Sequence, residues 1–169
     1  FISQKWAFSI VDKCIVLEDD DVPAISFFSF CKELLERYEN DTRIFMIAGF
    51  NNQEITPNVP YDYFFSSTFS IWGWASWRRV IDLWDEHYTF LDDTFNMHQL
   101  KSLIDQRTFR SDFICMCHRH REHHKAFYET IFHASMLFNS GLSIIPTRNM
   151  INNLGPIGNS THFGGSIAT

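Results

Sequence analysis

The stretch Cys14-Ile15-Val16-Leu17-Glu18-Asp19-Asp20-Asp21-Val22-Pro23 runs four apolar residues straight into four acids and a proline. A short apolar run bounded in this way reads as a fully buried strand. Pro23 holds Val22 in extended backbone, so the acids stand at a strand end and turn. Four adjacent carboxylates repel one another, and burying them unpaired is costly. A divalent cation with a preference for oxygen ligands relieves that repulsion, and a diphosphate can complete its shell. The bland alternative is a solvated acidic turn, or acids favoured by a helix N-terminus. The abrupt junction with an apolar strand puts a metal site level with that alternative, and spacing alone leaves both open.

The flanking sequence places this strand in an α/β pattern. Residues 1–11 carry Phe1, Ile2, Trp6, Phe8, Ile10 and Val11 at an imperfect helical spacing. Residues 24–38 repeat Ile25, Phe28, Cys31, Leu34, Leu35 and Tyr38 as an amphipathic helix would. Ile44 to Ala48 reads as a second buried strand, and residues 51–62 are turn-rich. Tyr63 to Trp72 has strand character up to Gly73, and Trp74 to Trp84 has helical spacing. Residues 85–125 read as two helices with polar joints. Residues 126–139 fit a further helix stopped near Gly141, Leu142 to Ile145 a strand, and the chain from Asn149 a loop. Short apolar strands alternating with helices predict an α/β sheet, whose ligands bind at the carboxyl ends of strands. The acids stand at such an end.

Composition narrows the function classes. The 169 residues suffice for one domain with a sizeable core. With 18 Phe, 5 Trp and 5 Tyr, most aromatic rings must be buried, leaving a minority to line a groove. A net charge of −6 argues against nucleic acid as a partner, which needs a basic face. No apolar run is long enough for a transmembrane segment. Cys14, Cys31, Cys115 and Cys117 lack paired zinc spacing, and their low density fits a reducing, cytoplasmic setting. The first residues show neither a signal peptide nor an initiator Met, so the chain is expected to be excised from a longer one.

The stretch from Ile15 to Pro23, followed by Phe27-Phe28 and by Cys31 to Tyr38, resembles bacterial GT-A glycosyltransferases. These belong to the nucleotide-diphospho-sugar transferase superfamily, and the likeness is to the N-acetylglucosaminyltransferase I type. Ile47-Ala48-Gly49-Phe50-Asn51, Ile71 to Trp77, Gly141 to Pro146, Asn149 to Gly155 and Thr161-His162 extend it in order along the chain. The resemblance implies a GT-A-like, Rossmann-like mixed sheet flanked by helices. It also implies that the N-terminal nucleotide-binding βα units lie upstream. Residues 1–169 would then be the C-terminal larger part of one such domain, inactive or weak alone. The implied activity is metal-dependent transfer, with inversion, of a sugar from a nucleotide-diphosphate donor to a saccharide or lipid-linked acceptor. The expected location is the cytoplasm, with peripheral association at the inner membrane as an option.

The resemblance also assigns residues. Asp20 would bind Mn²⁺ or Mg²⁺ directly, and Glu18 and Asp19 would contact the ribose or the metal's waters. His162 would add a second metal or diphosphate contact, while Asp21 receives no role. An inverting transfer needs a general base. Relatives carry an Asp twelve residues before the Gly of the Gly-Leu-Ser segment, where this chain has Glu129 preceded by Tyr128. Trp72, Gly73 and Trp74 fall on the acceptor-side loop. Rings there can stack on sugars, although core packing is the expected fate of Trp77 and Trp84. His120 and His124 stand at i and i+4 in a His-rich run. Arg119 and Arg121 oppose a cation there, so an exposed polar face is expected. The runner-up function is a carbohydrate-binding or assembly module that keeps the fold without catalysis. A Mg²⁺-dependent phosphatase or nuclease would need a second cluster at another strand end, and the sequence offers none.

Overall fold

A computed structural model of the chain describes residues 1–155. They form a mixed α/β structure containing a five-stranded mixed sheet. The elements begin with α1 (Ile2–Ile10), β1 (Lys13–Val16), β2 (Asp21–Pro23) and α2 (Ile25–Arg37). β3 (Ile44–Ala48), β4 (Tyr63–Ser66), β5 (Trp74–Trp77) and α3 (Arg78–Ile81) follow. A 3-10 turn at Thr89–Asp92 precedes α4 (Thr94–Leu103), α5 (Arg107–Glu122) and α6 (Tyr128–Phe138). The last strands are β6 (Leu142–Pro146) and β7 (Ile151–Asn153). The five-stranded sheet has the order β1-β5-β3-β6-β4, and β2 and β7 form a separate ribbon.

The chain divides into two compact units, each with its own packing logic. The first contains Phe1–Cys14, Thr42–Phe45 and Ser76–Leu142. Here α1 is tied to α3 through Arg78, whose Nε donates to the Phe8 carbonyl at 2.6 Å and whose backbone N–H donates to Asp12 O at 2.8 Å. The rings of Trp84 and Phe132 lie 5.4 Å apart in its core. Trp77 and Trp84 are both buried, as expected. Helix α6 ends in a left-handed residue, Ser140, with Gly141 N donating to Met136 O and Ser140 N to Leu137 O. This pairing satisfies two terminal carbonyls. Helix α5 ends the same way around His124, with Lys125 N on His120 O.

The second unit contains Ile15–Asp41, Met46–Ala75 and the described residues from Ser143. β3 pairs antiparallel with β5 (Ile47 opposite Ala75) and β4 with β6 (Phe64 opposite Ile145). Phe27, Cys31, Leu34 and Leu35 form the buried stripe of α2; Cys31, Leu34 and Leu35 are where the spacing places them, whereas Ile25 and Phe28 are exposed and Phe27 takes the buried position. Asn51 locks a turn below the sheet end. Its Nδ2 donates to Thr56 Oγ1 and Pro146 O, and its Oδ1 accepts from Gln53 N at 2.9 Å.

Three expectations need correction. β1 is half-buried along its length, not fully buried. Trp74–Trp77 is a completely buried strand, and the helix is confined to the four residues of α3. The spacing of Trp74, Trp77, Val80, Ile81 and Trp84 suits a helix, but a strand buried on both faces also shows no alternation. Finally, Asp21–Pro23 and Ile151–Asn153 are strands, where the sequence reads as turn and loop.

Candidate functional site

The acid turn follows β1 and is held in place from inside. Asp21 N donates to Glu18 O at 3.2 Å, closing the turn. The Asp21 carboxylate then does most of the bracing. Its Oδ2 accepts from Glu18 N at 3.0 Å and Gly73 N at 2.9 Å, and its Oδ1 accepts from Asn153 Nδ2 at 3.3 Å. β2 adds the antiparallel pairing of Asp21 with Asn153, Val22 with Asn152 and Pro23 with Ile151. Pro23 has no N–H to donate, which suits a short two-stranded ribbon. Burial raises the Asp21 pKa above its ordinary 3.8, and the Asp20 charge adds to this, against the lowering effect of the three bonds. Asp21, left without a role by the sequence, is therefore the structural hub of the turn.

Asp20 differs from it in every respect. Its backbone carbonyl accepts from Leu154 N at 2.9 Å, so the main chain is fixed. Its side-chain Oδ1 is buried and has no hydrogen-bond partner among the described residues. A Cβ added at Gly155 would collide with Asp20 Oδ2, so any side chain at residue 155 would have to push this carboxylate aside. Gly155 N is itself held by Asn153 Oδ1 at 2.8 Å. Asp19 is exposed, and Glu18 is half-buried. The acids thus form one turn containing a braced member, an orphaned member and a solvated one.

Gly73 and Trp72 belong to the same assembly. Gly73 has φ +58°, and a side chain there would strike Ile151, so glycine alone places its N–H on Asp21. Trp72 is half-buried, with its ring edge against Phe50 at 4.6 Å between centroids. Trp74 has 0% of its surface exposed and lies opposite Ala48 in β5. Its ring is a core element with no face left to stack on an acceptor. Of the three expected acceptor contacts, only Trp72 presents surface.

Glu129 lies in the first unit, in the first turn of α6. Its Oε2 is buried and unpartnered among the described residues. Its charge acts on Tyr88, whose hydroxyl is within 2.8 Å of Thr130 Oγ1, and on His120, whose Nδ1 lies 3.0 Å from the same oxygen. Burial lowers the His120 pKa and Glu129 opposes that shift. His120 is thus engaged with α6, while His124 lies past the end of α5. The two do not share a helical face, and only His123 and His124 of the pair-rich run are exposed with Arg119 and Glu122. His162 lies outside the described residues.

Among the described residues, no three His, Cys, Asp or Glu side chains are grouped to hold a metal on their own. A metal at this turn would therefore take few protein ligands, as Mg²⁺ commonly does when substrate phosphates supply the rest. The orphaned Asp20 oxygen fits that arrangement. Besides Asp21, the sequence left two residues of the site without a role, Asn153 and Gly155. Their signal is the short polar run Asn152-Asn153 ahead of a glycine, which carries no meaning until β7 is paired with β2. No protein-family model matches the chain, and no curated protein matches it. No described helix is long and apolar enough to cross a membrane.

Proposed function

We propose that the chain is the catalytic part of a metal-dependent, GT-A-like glycosyltransferase that uses a nucleotide-diphosphate sugar as donor. One observation carries the reading: a buried, unpartnered carboxylate oxygen on Asp20, in a turn whose shape is fixed by its neighbour Asp21. A buried charged oxygen without a partner is costly, and a cation is the ligand that repays it. Asp20 would hold Mn²⁺ or Mg²⁺, with Glu18 and Asp19 toward the metal's waters or the ribose. The metal would neutralise the diphosphate leaving group as it departs. Trp72 is the acceptor-side ring in this reading, and the acceptor is a saccharide or lipid-linked glycan. The acceptor proton falls to Glu129 by the resemblance alone.

Calorimetric titration with Mn²⁺, alone and with a panel of nucleotide sugars, tests the proposal on the chain, on an N-terminally extended chain, and on Asp20→Asn in each. Metal-dependent nucleotide-sugar binding that disappears in the variant supports it. Equal binding with and without the substitution would remove Asp20 from the site and the reading with it. Glycan binding with no metal-dependent donor binding is the result that fits a non-catalytic module.

A further inference from the structure

The second unit contains a cleft of about 310 Å³ whose lining includes Phe50, Phe64, Asn52, Gln53, Ser66 and Thr68. Its volume stands at the lower end of the range for small-molecule sites, about 300–1,000 Å³. No charged residue is among the described residues that line it.

The polar groups in this cleft are presented by a rigid frame. Asn51 is buried and spends its carboxamide on Thr56, Pro146, Thr147 and the Gln53 N–H. That leaves the next two carboxamides, on Asn52 and Gln53, displayed at the surface, with no side-chain hydrogen bond to the described residues. Each offers two donors and an acceptor. Across the chain from them, Ser66 and Thr68 share a 2.8 Å hydroxyl contact, and Ser143 Oγ donates to the carbonyls of both residues, holding that edge in place. Phe50 supplies an aromatic surface steadied by Trp72.

Three ligand classes can be weighed against this lining. An anionic ligand, a phosphate or a uronic acid, would find no countercharge. A purely apolar ligand would strand the carboxamides and hydroxyls without partners, which is unfavourable. A neutral polyhydroxylated ring satisfies both halves. Its hydroxyls pair with the carboxamides in either direction, and its C–H face lies on an aromatic ring. We propose that this cleft is a binding subsite for a neutral pyranose unit of a glycan. The proposal deepens the transferase reading by making the acceptor an uncharged saccharide, and only that use in transfer rests on it. Trp72, next to the Gly73 that bonds Asp21, connects the cleft's aromatic wall to the acid turn.

The test is saccharide binding followed by amide chemical shifts of the full chain, with no metal and no nucleotide sugar present. The probes are maltotriose, cellotriose and chitotriose as neutral glycans and trigalacturonate as the acidic control. A neutral trisaccharide should move the signals of Asn52, Gln53 and Phe64, and trigalacturonate should not. Gln53→Ala and Asn52→Ala, both at exposed side chains, should each weaken that binding about tenfold, the effect of one lost ligand hydrogen bond of ordinary strength. Both variants should keep the wild-type amide spectrum elsewhere. No shift at these residues with any neutral probe, stronger binding of the acidic one, or unchanged affinity in both variants would overturn the proposal. Because metal and donor are absent, failure here is distinct from failure of the Mn²⁺ titration.

Discussion

Two buried carboxylate oxygens lack partners among the described residues, Asp20 Oδ1 in the acid turn and Glu129 Oε2 at the start of α6. Their surroundings differ in sign. Glu129 sits in the first turn of a helix, where unsatisfied N–H groups and the dipole favour an anion. Its charge also reaches Tyr88 and His120. Asp20 stands among further acids, and its charge reinforces the raised pKa of Asp21. One oxygen is compensated by the fold that carries it, and the other adds negative charge to a place already rich in it. A positive ligand from outside would have more to stabilise at the acid turn than at the start of α6.

The largest expected effect would break that contrast. If Glu129 is the base, Glu129→Gln should lower the turnover of a nucleotide-sugar donor by about 10²–10⁴-fold, the usual contribution of a positioned general base. Its stability should change by less than about 2 kcal/mol, the upper end for a helix-terminal charge in a partly buried place. A variant with full rate would leave Glu129 a helix-start carboxylate and nothing else, and the contrast with Asp20 would stand sharpened.

Next in size is the difference between the two neighbours in the turn. Asp21→Ala removes the acceptor for two backbone N–H groups and for Asn153. Urea denaturation should show a loss of about 2–4 kcal/mol, the cost of leaving such donors unsatisfied. Asp20→Ala deletes no hydrogen bond of its side-chain Oδ1. Its stability should stay within about 0.5 kcal/mol of wild type, or rise. Equal losses in the two variants would mean that Asp20 also braces the turn.

That division of labour was not readable from the acids themselves. The apolar runs of β3 and β6 and the amphipathic spacing of α2 carry their own local signal, and those elements fall where the sequence places them. Asp21 and Asp20 are chemically identical in the sequence. What separates them is Gly73, 52 positions away, and Asn153, 132 positions away. No local pattern encodes a partner at that distance. β2 and β7 are three residues each, and one contains a proline, so neither has the length to show a period. β5 failed for the opposite reason. Its apolar content is so dense that strand and helix give the same pattern. The strand-end position of the acids was legible, because Leu17 and Pro23 bracket them in sequence.

A smaller effect measures what Asp20 does with its free oxygen. Mn²⁺ should raise the melting temperature of the wild-type chain, since a ligand that binds only the folded state stabilises it by mass action. Asp20→Asn should weaken Mn²⁺ by at least about 10–100-fold, the loss that removing even an outer-shell partner of a metal brings. Glu129→Gln should leave the metal-induced shift in place. A shift that survives in Asp20→Asn and vanishes in Glu129→Gln would reverse the comparison.

The smallest effect is a pH dependence that isolates Asp21. Its pKa in the folded chain is raised above the ordinary 3.8, chiefly by burial. In the window between 3.8 and that raised value, the folded state binds more protons than the unfolded one. Stability therefore increases as pH falls through this window, and decreases as pH rises through it. Most buried-acid contributions that rest on ion pairing run the other way, so the sign is diagnostic. The stability difference between wild type and Asp21→Asn, measured by denaturation at neutral pH and again near pH 4.5, should shift toward wild type on acidification. A shift toward the variant would mean that the bonds from Glu18, Gly73 and Asn153 outweigh burial. The carboxylate would then stay ionised to lower pH than a free aspartate, and the turn would carry its negative charge toward Asp20 further into the acid range.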